Sequence, residues 1–416
     1  MRSVLRHRDY RIFAIGQTFS VFGSQFTTVA MAWQIYELTN SPLQIGALGL
    51  ARAVPQMVLT LFGGVLADAL DRRRLLMVTQ LAQFCVSASL VVITLAGLIS
   101  PGVLYGATVL MALAAALDNP ARQAMVPNMV PASELTEALT LTNAQRTLGN
   151  IAGPSLAGLV LAFASAGICY AVDAASWIVM LGALVLMRGP FQAAVGRRAV
   201  SLSAVGSGVA FVWTHPILLS FMALDFAQNF FGTPRALLPI FARDILGVGA
   251  SGLGMLYSAI SIGSLVGAVI VSRIPRRDQA GWWVLAGVAV YGLSILVFSL
   301  SSVFWLSLVA LAGSGAGNTI SVVFRGTSNQ LLTPDELRGR VASVNSVFTM
   351  GGPQLGQFQS GVLASLWGAE FSAGFGGTVV VLVALAVAMV PSVRSFDLTN
   401  LRAHAARVTP TRVEAG

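Results

Sequence analysis

Apolar runs of roughly 20 residues or longer follow one another along almost the whole chain. They cover about 12–36, 43–67, 74–98, 103–126, 137–164, 168–188, 216–240, 250–272, 282–301, 304–325, 340–364 and 369–390. Each is long enough to cross the ~30 Å hydrocarbon core of a bilayer as a helix. The runs are continuous rather than alternating, and longer than barrel strands of about ten residues. In lipid, backbone groups must be satisfied within the segment, so helices are expected. The expected fold is an all-α membrane protein of twelve transmembrane helices. The first run exceeds a signal-peptide core of roughly 7–15 residues and is expected to remain as a span.

Only 10% of the 416 residues are charged, too few to coat a soluble globule of this size. The charge is nonetheless lopsided, at +9, and the chain contains arginine but no lysine. Place the N-terminus in the cytoplasm and let the chain cross an even number of times. Every arginine except Arg52, Arg146, Arg235 and Arg243 then falls in a cytoplasmic segment, Arg122 and Arg325 included. That is the positive-inside pattern, which explains the charge without a nucleic-acid partner. Tryptophans other than Trp177 lie near span ends, as an interfacial belt requires. The replacement of lysine by arginine throughout points to a bacterial source, so the expected location is the bacterial plasma (inner) membrane, with many passes and both termini cytoplasmic.

The polar interval 189–215 divides the chain into two six-helix halves, 1–188 and 216–390, followed by a cytoplasmic tail, 391–416. Within the interval, Val205, Val209, Val212 and Trp213 recur at helical spacing and suggest a surface-lying helix. The halves echo each other. Glu134-Leu135, Asn143 and Gly149 are answered by Glu336-Leu337, Asn345 and Gly351, and Gly63 and Arg72-Arg73 by Gly267 and Arg276-Arg277. Parallel pseudo-symmetric repeats of this kind occur in secondary transporters.

Two motifs stand out. Between the second and third runs lies Gly64-Val65-Leu66-Ala67-Asp68-Ala69-Leu70-Asp71-Arg72-Arg73-Arg74. Asp68 sits where a helix leaves the membrane, and the arginines are near enough to pair with it or with a neighbouring helix end. Gly64, Asp68, Arg72 and Arg73 are thus candidates for a conformational latch, though a loop that only sets topology would have the same features. The fifth run contains Gly149, Gly153, Pro154 and Gly158, a face of small residues with a helix-kinking proline. Ordinary close packing would also use such a face.

These segments resemble the major facilitator superfamily. The Gly64–Arg74 segment resembles its loop signature, with Ala69 and Asp71 departing from the usual basic residue and glycine. The fifth-run segment is similar to the antiporter motif of its exporters, with Ala157 replacing one glycine and a weaker echo in Gly351-Gly352-Pro353. Arg146 with Gly153-Pro154, Leu238-Pro239 through Arg243, and Thr333 through Arg340 resemble the bacterial branch of enterobactin exporters and macrolide-type efflux proteins. The resemblance implies a major facilitator fold, alternating access around a central cavity, and secondary transport with protons as the exchanged ion. Export of a small amphipathic molecule, such as a drug or siderophore, is the expected function. Uptake or facilitated transport is the alternative the same fold permits.

Charges within the runs are the remaining candidates for proton or substrate contact: Arg52, Asp118, Arg146, Asp173 and Asp225, with Arg235 at an edge. Asp225 has Gln228 and Asn229 on nearby turns and is the most transport-like cluster. Asp118 and Arg122 are spaced to pair along one helix. Structural pairing is the competing role for each. Gly247-x-Gly249-x-x-Gly252 follows no strand, so nucleotide binding is not expected. No cofactor, metal or enzymatic activity is expected, because His, Cys and carboxylates do not cluster. The chain is expected to act as a monomer in the lipid bilayer, with a small-molecule substrate and protons as its partners.

Overall fold

The computed structural model describes residues 3–69, 71–189, 212–274, 279–333 and 335–397. Side chains are described for all of these except 60–69, 335–336, 338–340 and 342–350. Most of the 189–215 interval, including Val205 and Val209, lies outside the described residues, as do Arg276, Arg277 and the tail beyond 397.

Helices occupy every interval expected from the sequence. They are α1 (Arg8–Thr39), α2 (Pro42–Ala69), α3 (Arg72–Leu95), α4 (Pro101–Met125), α5 (Leu135–Phe163) and α6 (Ala166–Leu186). The second set is α7 (Pro216–Phe226), α8 (Gly249–Arg273), α9 (Ala280–Leu300), α10 (Phe304–Leu332), α11 (Asp335–Trp367) and α12 (Ala369–Ala388). No strand occurs among the described residues. Seven of the described helices combine the length and hydropathy needed to cross a bilayer, so the chain is a multi-pass membrane protein. Burial agrees. On α3, Val78, Leu81 and Val92 point outward while Gln80, Gln83 and Ser87 are buried. That inverts the water-soluble pattern and suits a lipid surround.

Local signals set the helix ends. Asp71 caps α3 by accepting from Arg74 N at 3.0 Å, and Ser100 caps α4 ahead of Pro101. Asn40, at φ 47°, closes α1 in the left-handed conformation. One expected span departs from a simple helix. The run 216–240 is helical only to Phe231, its last turn, Ala227–Phe231, being a π turn. The chain then bends through Gly232-Thr233-Pro234 before a short helix, Leu238–Ile240, and a second π turn, Phe241–Ile245. Pro234 has no N–H to continue a helical ladder.

The packing order is that of two related halves. In the first, α1 packs on α5 and α6, α2 on α4, and α3 on α4 and α6. In the second, α8 packs on α10, α9 on α10 and α12, and α11 and α12 on α7 and its π turn. The halves meet through α2 against α11 and α5 against α8, contacts that exchange when first-half and second-half helices are interchanged. This is the expected pseudo-symmetric, all-α membrane architecture.

Candidate functional site

The contacts between halves gather at the end of the bundle carrying Asn40 and Gly247. Gly158 of α5 lies against Gly254 of α8, and Gly46 of α2 against Gly361 of α11. A methyl group on any of them would overlap the facing backbone, so glycine is what allows this approach. Gly361 follows Gly158 by 203 positions, so the two seals are repeat equivalents. Ser155 and Ser261 bond at 3.0 Å between α5 and α8. At the rim, the Tyr36 hydroxyl donates to Asp244, and Arg243 lies 5.6 Å from the Tyr36 ring centroid.

Inside the seal, a cavity of about 390 Å³ separates the halves. Its walls include Thr28, Arg52, Asn150 and Pro154 from the first half, and Arg235, Tyr257 and Gln354 from the second. Asn150 also borders a second cavity of about 220 Å³, between α1, α4 and α5, lined by Ser20, Asp118, Arg122 and Arg146. The two cavities therefore adjoin at Asn150 of α5. The fifth-helix motif spans this region. Gly149 and Gly153 face Val21 and Gln25 of α1, Pro154 borders the larger cavity, and Gly158 forms the seal.

The structure brings some sequence candidates together and separates others. Asp225 accepts from Arg325 at 2.7 Å, and Gln228 Oε1 accepts from the same guanidinium at 2.9 Å. Asn229 instead donates to the Asp225 carbonyl at 2.9 Å. The charge pattern alone places Arg325 in a cytoplasmic segment. It lies instead within α10, buried, because the helix runs to Leu332, past the apolar run. Arg122 is likewise buried, paired with Asp118 and donating to Ser20 at 2.9 Å. Asp118 also accepts from Thr79 at 3.0 Å and from Gln80.

Arg122 and Arg325 are 203 positions apart, and their partners have traded places. In the first half the carboxylate, Asp118, is on the arginine's own helix and the facing helix offers Ser20. In the second half the facing helix supplies Asp225, and Ser321 stands one turn before Arg325 without a hydrogen-bond partner for its hydroxyl. Each half therefore neutralises one buried guanidinium, as charge within a membrane requires.

Asp173 sits apart, between α1, α3 and α6, accepting from Thr27 and Ser87 at 2.7 Å each. Arg146 donates to Asn119 at 3.0 Å, and Arg52 to Thr28 at 3.4 Å. In the loop motif, the side chain of Asp68 lies outside the described residues. Arg72 donates to the Ala124 carbonyl at 2.9 Å, and Arg73 to those of Leu184 and Val185 at 2.9 and 3.0 Å. The two arginines thus hold the C-terminal ends of α4 and α6, where a positive charge is favoured.

A pseudo-symmetric helical bundle with a polar cavity between its halves is the architecture of the major facilitator superfamily. The chain belongs to the transmembrane secretion effector family of that superfamily, which matches residues 2–415. It is 25% identical over 386 residues to the enterobactin exporter EntS of Citrobacter koseri, covering 91% of each chain. It is 26% identical over 389 residues to the multidrug efflux pump Tap of Mycolicibacterium fortuitum, covering 91% of this chain and 94% of that one. Among solved structures, the nucleoside transporter NupG superposes with a TM-score of 0.69 at 15% identity, over 92% of this chain and 98% of that one. A bacterial homolog of the human lysosomal transporter Spinster, inward-facing and unoccupied, gives 0.70 at 14% identity, over 96% and 97%. Both share the fold.

Proposed function

We propose that the chain exports a small amphipathic molecule in exchange for protons, by alternating access across the bacterial plasma (inner) membrane. The observation carrying this reading is the cavity between the halves, closed at one end by the paired contacts Gly158–Gly254 and Gly46–Gly361. Two halves whose closest backbone approaches run through small residues can rock apart at low cost, which is the motion alternating access needs. With both termini cytoplasmic, as the arginine distribution suggests, the seal is on the outer side and the cavity loads from within. The names of EntS and Tap, an exporter and an efflux pump, support the outward direction.

In this reading the monomer works as a 1–188 half and a 216–390 half, joined by the 189–215 linker and followed by a cytoplasmic tail. Asp225 is the proton site. Protonation removes its charge and weakens its hold on Arg325, loosening α7 from α10. Asp68 with Arg72 and Arg73 acts as the latch on the cytoplasmic side. The test is transport into everted vesicles under an imposed proton gradient, with candidates chosen by resistance and exported-metabolite profiling of deletion and overexpression strains. Gradient-dependent accumulation that is lost in Asp225→Asn supports the reading. No accumulation of any candidate, with an unchanged Asp225→Asn phenotype in cells, defeats it.

A further inference from the structure

The cavity between the halves holds charge that no described residue neutralises. Arg52 reaches it from α2, and Arg235 from the bend after α7. Among the described residues lining it there is no carboxylate. The described hydrogen bonds of the Arg52 side chain amount to one 3.4 Å bond to Thr28, and the Arg235 side chain has none. The contrast with Arg122 and Arg325, each paired with an aspartate, is direct. Two guanidiniums opening onto one cavity repel each other, a cost that an anion between them offsets. Around them lie amides, Asn150, Gln354 and Gln357, and an apolar floor of Val29, Ile45 and Leu48.

We propose that this cavity binds organic anions: Arg52 and Arg235 hold one acidic headgroup, and the apolar floor takes the body of the molecule. A volume of about 390 Å³ suits a small molecule with a single acidic group. Guanidinium is suited to such a headgroup, because its fork of donors matches a carboxylate or phosphate. The two arginines come from opposite halves, so an anion between them is gripped only while the halves keep this spacing. Binding therefore favours one conformation over the other, which is how a substrate influences alternating access. This inference rests on the export reading above and narrows its substrate class.

The experiment is equilibrium binding of tritiated 1-naphthylacetate to the full chain in neutral maltoside micelles. Its neutral amide, 1-naphthylacetamide, and the cation 1-naphthylmethylammonium serve as competitors. The amide is expected to compete about tenfold more weakly than unlabelled 1-naphthylacetate, and the cation more weakly still. Arg52→Gln and Arg235→Gln are each expected to weaken 1-naphthylacetate binding about tenfold, while Arg394→Gln, exposed and remote, keeps the wild-type affinity. If either cavity variant fails to fold, the headgroup ranking on the wild-type chain still decides. Equal competition by amide and 1-naphthylacetate, preference for the cation, absence of 1-naphthylacetate binding at millimolar concentration, or displacement by phosphatidylglycerol overturns the proposal, the last by assigning the site to lipid. No gradient enters this assay. Failed binding with intact export rejects only the anion site, and retained binding with no export rejects only the export reading.

Discussion

Arg325 on α10 donates to Asp225 on α7 at 2.7 Å, a buried ion pair that ties the first helix of the second half to its fourth. Removing one member of such a pair leaves an unneutralised charge in the bundle, at a cost of about 3 kcal/mol or more. Asp225→Ala and Arg325→Met should each lower thermal stability in detergent, and the double variant should recover much of the loss. The double-mutant cycle of melting midpoints should give a coupling above ~1 kcal/mol. Additive losses would mean that the pair is not a unit.

The exchange of partners between the halves makes a sharper prediction. Asp118→Ser strips Arg122 of its counter-ion and should cost about 3 kcal/mol. Adding Ser20→Asp places a carboxylate where the second half already has one, because Ser20 accepts from Arg122 at 2.9 Å. The double variant should regain roughly half of the lost stability, Gln80 being left without its acceptor. No recovery in thermal unfolding would contradict the equivalence.

Asp225 was legible in the sequence because a carboxylate inside an apolar run stands out. Arg325 was not, because an arginine at the end of such a run resembles a loop anchor. Helical continuation through Leu332 and the face turned toward α7 depend on tertiary packing, which hydropathy does not record. The bend after Phe231 carried a readable signal in Gly232 and Pro234, yet the length of the apolar run outweighed it. The small-residue face of α5 was visible in the sequence, whereas its division between α1 and α8 followed only from the fold.

Arg72 and Arg73 each close a neighbouring helix end, whereas Arg74 is exposed. Arg72→Gln and Arg73→Gln should each destabilise by about 0.5–2 kcal/mol, through lost hydrogen bonds and helix-end charge. Arg74→Gln should stay within ~0.5 kcal/mol of wild type. Thermal midpoints in one detergent rank the three, and equal effects would refute the capping role.

The glycine seal predicts a shift between states. Valine at Gly158 overpacks the contact with Gly254 and should penalise the sealed conformation by about 1–3 kcal/mol, roughly fivefold to 150-fold in population. In a Cys85→Ser background, a cysteine replacing Ala32, which lines the cavity, should then react faster with a membrane-impermeant maleimide added to intact cells. Unchanged labelling would mean that Gly158 does not guard the outer entrance.

Proton-coupled alternating access is tested most directly by pulsed electron–electron distance measurement. Spin labels at Ser41 and Ser251 report across the sealed end, one at the start of α2 and the other at the start of α8. In lipid, the distribution should contain a short and a longer distance. Their ratio should change when the pH is lowered. Asp225→Asn, which mimics the protonated form, should fix the low-pH ratio at every pH. A single distance at both pH values, or a pH response that Asp225→Asn leaves intact, would contradict the account.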